Sequence, residues 1–104
     1  MVKRSQRNNG MNESNPSDAA LAELLSLTVE VAKWGVSYCN HLGHFHRVHG
    51  PAVIYPNGTE YWYRYDRLHR TDGPAIEWAN GTKRWYLNGE VLTEKEWNER
   101  VKSI

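Results

Sequence analysis

The middle of this 104-residue chain repeats itself at an offset of 23 residues. His46-Arg47-Val48-His49-Gly50-Pro51-Ala52 returns as His69-Arg70-Thr71-Asp72-Gly73-Pro74-Ala75, Asn57-Gly58-Thr59 as Asn80-Gly81-Thr82, and Trp62-Tyr63 as Trp85-Tyr86. These ten identities share one register, which is the mark of a supersecondary unit stacked on copies of itself. Run backwards, the register places Gly35 under Gly58, Tyr38 under Tyr61, and Phe45-His46-Arg47 under Leu68-His69-Arg70. The array therefore comprises a half unit over 35–45 and full units over 46–68 and 69–92.

Each unit reads as a β-hairpin. Asn57-Gly58 and Asn80-Gly81 are strong hairpin signals, because both central residues of a type I′ turn take positive φ. Ala52–Tyr55 then faces Glu60–Tyr63, and Ala75–Trp78 faces Lys83–Leu87. Asn88-Gly89 makes a second turn, matched by Tyr65-Asp66 and, in the half unit, by Leu42-Gly43. Trp62 and Trp85 fall on equivalent sites, where they are expected to stack, and the aromatic stripe as a whole is expected to form the core.

Outside the array the pattern changes. Residues 1–16 are polar and rich in Asn, which predicts a disordered tail. Ser17 is the expected N-cap of a helix over 17–34, with Leu21, Leu24, Leu25, Thr28, Val31 and Ala32 on one face and Gly35 as its stop. Over 27–33 the alternation of Leu27, Val29 and Val31 with Thr28 and Glu30 also fits a strand. Thr93-Glu94-Lys95-Glu96 is a capping box that opens a short helix within 93–104, with Trp97 folded back on the sheet. The expected class is mainly β (α+β): an antiparallel hairpin meander of five to seven strands between an N-terminal helix and a short C-terminal helix.

Units of the form Leu-His-Arg-x-Asp-Gly-Pro-Ala, followed by Asn-Gly-Thr and Trp-Tyr, resemble the MORN-like repeats of proteins from large bacteriophages and giant viruses. They are also distantly similar to the repeats of YwqK-family antitoxins. The resemblance covers residues 36–92 and implies a hairpin array that binds other molecules without catalysing a reaction. The chain departs from the pattern at His49, which stands where Asp72 stands in the next copy, at Tyr65-Asp66, and at Leu92-Thr93, where the array ends.

Three constellations carry possible chemistry. Cys39, His41, His44, His46 and His49 are zinc-ligand types, yet their spacing matches no closed zinc framework, and no cofactor is expected. His46 and His69 have the residue type of an acid–base pair, but a repeat copies structural residues into every unit, with each ring expected to donate to a carbonyl before Gly-Pro. Arg47, Arg64 and Arg70, with Tyr63, Tyr86 and His49, form the candidate binding set, because guanidinium and aromatic groups together grip phosphates and bases. The competing use of the arginines is pairing with Glu60, Glu77, Asp66 and Glu90.

Thirteen basic against twelve acidic side chains give no field that would draw in a polyanion or an anionic membrane. There is no apolar span of about 20 residues, and the lone Cys39 forms no internal disulfide, so a cytoplasmic setting is expected, that of the host cell for a viral protein. The expected function is non-enzymatic: an accessory factor that inhibits or sequesters a host protein in counter-defence or host takeover. The alternatives are a sponge for a nucleotide signal or nucleic acid and, third, a small histidine-dependent nuclease. A homodimer is expected through the N-terminal helix, with Leu24, Leu27 and Val31 in the contact.

Overall fold

Residues 27–32 decide how the sheet begins. The computed structural model describes residues 16–103 and places a helix, α1, over Pro16–Ser26 and a strand, β1, over Thr28–Ala32. The helix expected over 17–34 thus ends at Ser26. The β-branched residues Thr28, Val29 and Val31 lose side-chain freedom in a helix and suit a pleated surface, so the strand alternation prevails. Ser17 lies inside the first helical turn, not ahead of it. Gly35 is no helix stop either: it opens β2 (Gly35–Cys39) with φ 144°, where a Cβ would run into the carbonyl oxygen of Ile54. The expected disordered tail falls, up to residue 15, outside the described residues.

The remaining elements are β3 (Val53–Ile54), β4 (Glu60–Tyr61), β5 (Tyr63–Arg64), β6 (Arg67–Leu68), β7 (Ile76–Glu77), β8 (Lys83–Leu87), β9 (Glu90–Leu92) and α2 (Glu94–Lys102). Seven strands form one antiparallel sheet in the order β9-β8-β7-β4-β3-β2-β1, and β5 and β6 pair as a separate hairpin. The fold is mainly β with one helix at each end. No helix among the described residues is long and apolar enough to cross a membrane.

The Asn57-Gly58 and Asn80-Gly81 turns are not the two-residue type I′ loops expected. Around Asn57-Gly58 only Gly58 has positive φ, and Gly58 N–H donates to the Tyr55 carbonyl while Tyr55 N–H donates to that of Thr59, which makes a three-residue loop with glycine in the left-handed position. Trp78–Thr82 repeats this geometry. The two-residue loops with both φ positive are Tyr65-Asp66 (50° and 66°) and Asn88-Gly89 (50° and 85°). In the half unit the loop has three residues, His41-Leu42-Gly43, because Gly43 N–H bonds the Asn40 carbonyl and Asn40 N–H that of His44. That extra residue moves Tyr38 into the place of Trp62 instead of Tyr61: the Tyr38 carbonyl receives His46 N–H as the Trp62 carbonyl receives His69 N–H.

The buried centre is made of small side chains. Ala52 and Ala75 are fully buried, flanked by Val53, Ile76 and Ser37. A second cluster joins Leu87, Leu92 and Trp97, with Trp85 and Val101 against it. Thr93 caps α2 through a reciprocal capping box with Glu96, which turns Trp97 onto β8. The aromatic stripe is therefore mostly not the core. Trp62 and Trp85 do not stack on each other: Trp62 is covered by Arg70 and Trp85 by Trp97.

Candidate binding surface

The repeated His-Arg-x-x-Gly-Pro-Ala segment works as a structural clasp. The guanidinium of Arg47 lies 4.1 Å from the centre of the Tyr38 ring, and that of Arg70 lies 3.7 Å from Trp62. On its other side each guanidinium meets a glycine, where a Cβ on Gly50 or Gly73 would come within 2.6 or 2.7 Å of it. Each also donates to the following proline's carbonyl, Arg47 to Pro51 at 3.3 Å and Arg70 to Pro74 at 3.2 Å. Arg47 and Arg70, expected as ligand contacts, are thus occupied within the fold. Arg70 pairs with Asp72 and Glu90 with Arg100, not in the combinations expected from the strands.

The histidines hold the turns and do so as acceptors. Tyr65 N–H donates to His46 Nδ1 at 3.1 Å, and Asn88 N–H donates to His69 Nδ1 at 2.9 Å. The second N–H of each turn, from Asp66 and Gly89, reaches the carbonyls of Phe45 and Leu68. Each turn is thereby clamped onto its own unit's histidine and onto the last carbonyl of the unit before it. The rings were expected to donate to carbonyls; an accepting Nδ1 requires instead a neutral ring protonated at Nε2. Burial holds both histidines below their ordinary pKa, and the charge of Arg64 adds to this at each.

His49 departs from the repeat to a purpose visible in the fold. Its N–H and that of Val48 donate to the Glu23 carboxylate of α1 at 2.9 and 2.6 Å, and its Nδ1 lies 3.2 Å from the same group. Burial alone would raise the Glu23 pKa, but these backbone bonds and His49 hold it below the usual carboxylate range. Glu23 was missed from sequence because nothing local marks a helical glutamate as the partner of a turn 26 residues away. Among the described residues no three His, Cys, Asp or Glu side chains come together to hold a metal ion. Of the candidate histidines, His46 is engaged by the Tyr65 turn and His49 by Glu23.

What remains open is aromatic. Trp34, Phe45, Val53, Tyr55, Tyr61 and Tyr63 line a cleft of about 430 Å³ on one face of the sheet. The register explains the convergence, since Val53 pairs with Tyr61, and Tyr55 and Tyr63 each follow one of them by two residues in the chain. The rings form a chain: Trp34 to Tyr55 at 6.0 Å, Tyr55 to Tyr61 edge-on at 5.8 Å, Tyr61 to Tyr63 stacked at 6.3 Å, and Phe45 to Tyr63 at 5.4 Å. Trp34, Phe45 and Tyr55 remain 42%, 37% and 38% exposed. Of the expected binding residues Tyr63 belongs to this cleft, Tyr86 is half-buried on β8 opposite Val91, and Arg64 points to the other side of its hairpin. Comparison with protein-family models, with curated proteins and with solved structures finds no match to this chain.

Proposed function

We propose that this protein is a non-enzymatic binding protein that captures a partner protein through the aromatic cleft. One observation carries the reading: five aromatic rings are held in a continuous chain of contacts on an open sheet face, while the repeated arginines and histidines are used internally. Rings fixed by a rigid sheet offer large contact area with little entropy left to lose, the character of binding hot spots. Among the described residues no charged side chain lines the cleft, which favours an apolar or aromatic side chain of the partner as its occupant. The resemblance of the units to MORN-like repeats supports the biological setting, an accessory factor of a phage or virus that inhibits or sequesters a host protein.

The test is capture from host lysate by the wild-type chain, by Trp34→Ala/Tyr55→Ala and by the control Arg84→Glu, followed by titration of the purified captured protein. The partner should be retained by wild type and control and lost, by at least about tenfold in affinity, in the aromatic variant. Equal binding by all three would overturn the reading.

A further inference from the structure

The β5–β6 hairpin has a second side, and there the repeat leaves a gap. In the first full unit the ring of Tyr65 lies over His46 with centroids 4.2 Å apart, and His46 is buried. The equivalent residue in the next unit is Asn88, which keeps the same φ of 50° and the same bond to its histidine but has no ring to cover it. His69 lines instead a cleft of about 410 Å³ with His44, Arg64, Tyr65, Arg67 and Asn88. That volume is within the range of small-ligand sites, about 300–1,000 Å³.

The charges in this cleft lack partners. Arg64 and Arg67 stand directly opposite each other across the two-residue turn, an arrangement of like charges that costs stability. Among the described residues neither guanidinium has a carboxylate within salt-bridge distance. Asp66, between them in sequence, accepts the Phe45 N–H, and Glu90 is paired with Arg100. His69, its Nδ1 engaged by Asn88, has Nε2–H as its remaining donor.

We propose that this cleft binds the phosphate group of a small phosphorylated ligand, with Arg64 and Arg67 closing on it from two strands, His69 donating from below, and Tyr65 offering an aromatic surface to the remainder. An anion would remove the repulsion that the hairpin otherwise bears and would receive charge-assisted bonds from both guanidinium groups. Burial and Arg64 lower the His69 pKa, which favours the neutral ring whose Nε2–H is the donor. The site is independent of the aromatic cleft, because Tyr63 and Arg64 are neighbours on one strand and point to opposite sides.

Calorimetric titration of the full chain with sodium pyrophosphate, ADP, adenosine and a ten-residue oligothymidylate tests it. Pyrophosphate and ADP should bind and adenosine should not; ADP binding tighter than pyrophosphate marks a nucleotide as the source, and equal affinity marks inorganic phosphate. Arg67→Gln, at an exposed position, should weaken pyrophosphate by about tenfold or more. Asn88→Tyr, which restores the cover of the first unit at a φ that Tyr65 already adopts, should do the same with an unchanged melting temperature. Absence of binding by pyrophosphate and ADP at millimolar concentration, adenosine binding as tightly as ADP, the oligonucleotide binding more tightly than ADP, or unchanged affinity in both variants would each overturn the proposal.

Discussion

The indole of Trp97 lies 4.7 Å from that of Trp85, in the place where the preceding units set Arg70 on Trp62 and Arg47 on Tyr38. Its Nε1–H donates to the Arg70 carbonyl at 2.9 Å, so one side chain of α2 covers the last ring of the array and ties the helix to the unit before it. Trp97→Ala should therefore cost about 3–5 kcal/mol, the usual loss for a buried tryptophan and a large share of a small domain's stability. Trp97→Phe keeps most of the packing but leaves the carbonyl unpaired, at about 1–3 kcal/mol. Urea unfolding followed by far-UV circular dichroism checks both; a loss below about 1 kcal/mol for the alanine variant would show that α2 does not cap the sheet.

Acid should weaken the fold in two steps. His46 and His69 have folded-state pKa values below the ordinary one, so between the two values the unfolded chain binds more protons than the folded one. Their contribution is complete above about pH 6.5 and is lost as pH falls through the folded values. Glu23, also lowered, adds a second loss below its ordinary value of 4.5. The urea midpoint should drop between pH 7.5 and 5.5, and His46→Gln or His69→Gln should flatten that slope. A midpoint that rises on acidification contradicts the accepting role of Nδ1.

Gly73→Ala should act through Arg70. The added methyl meets the guanidinium, which must leave either the Trp62 ring or the Pro74 carbonyl, at a cost of about 1–2 kcal/mol. Once Arg70→Ala has removed the guanidinium, the same methyl should cost much less. A double-mutant cycle with a coupling below about 0.5 kcal/mol would show that the clasp is not a unit.

For the homodimer expected through Leu24, Leu27 and Val31 we propose a contact centred on Leu25 and Val31. Leu24 and Leu27 are half-buried, whereas Leu25 is 82% and Val31 76% exposed, and every residue of the open edge strand β1 is exposed. Light scattering at micromolar concentration should give twice the chain mass for wild type and the single-chain mass for Leu25→Asp/Val31→Lys, since charges on an edge strand oppose pairing. A wild-type mass of one chain, or a dimer that survives both substitutions, would reject this surface.

How far the fold was readable depended on the range of each signal. The 23-residue register located the strands and Thr93–Glu96 located α2, because both are written in consecutive residues. Turn types were misassigned at Asn57-Gly58, since Asn-Gly suits both a two-residue loop and the end of a three-residue one, and only pairing geometry separates them. The aromatic cleft was hidden because Trp34 and Phe45 reach it from outside the repeated hairpins. His49 stood out as a departure, but its partner Glu23 lies in a segment the repeat does not cover.

The bond from the Asn88-Gly89 turn to Leu68 has a direction: each unit's turn gives an N–H to the last carbonyl of its predecessor, Asp66 to Phe45 and Gly89 to Leu68. An array built this way has a growing end, and here that end is blocked, because Leu92 stands where the next acceptor histidine would be and is buried against Leu87 and Trp97. The length of the molecule is thus set by its terminator and not by its units. A further 23-residue copy spliced between Leu68 and His69 would find the Leu68 carbonyl before it and a turn after it, whereas one placed after Leu92 would meet α2 and its Trp97.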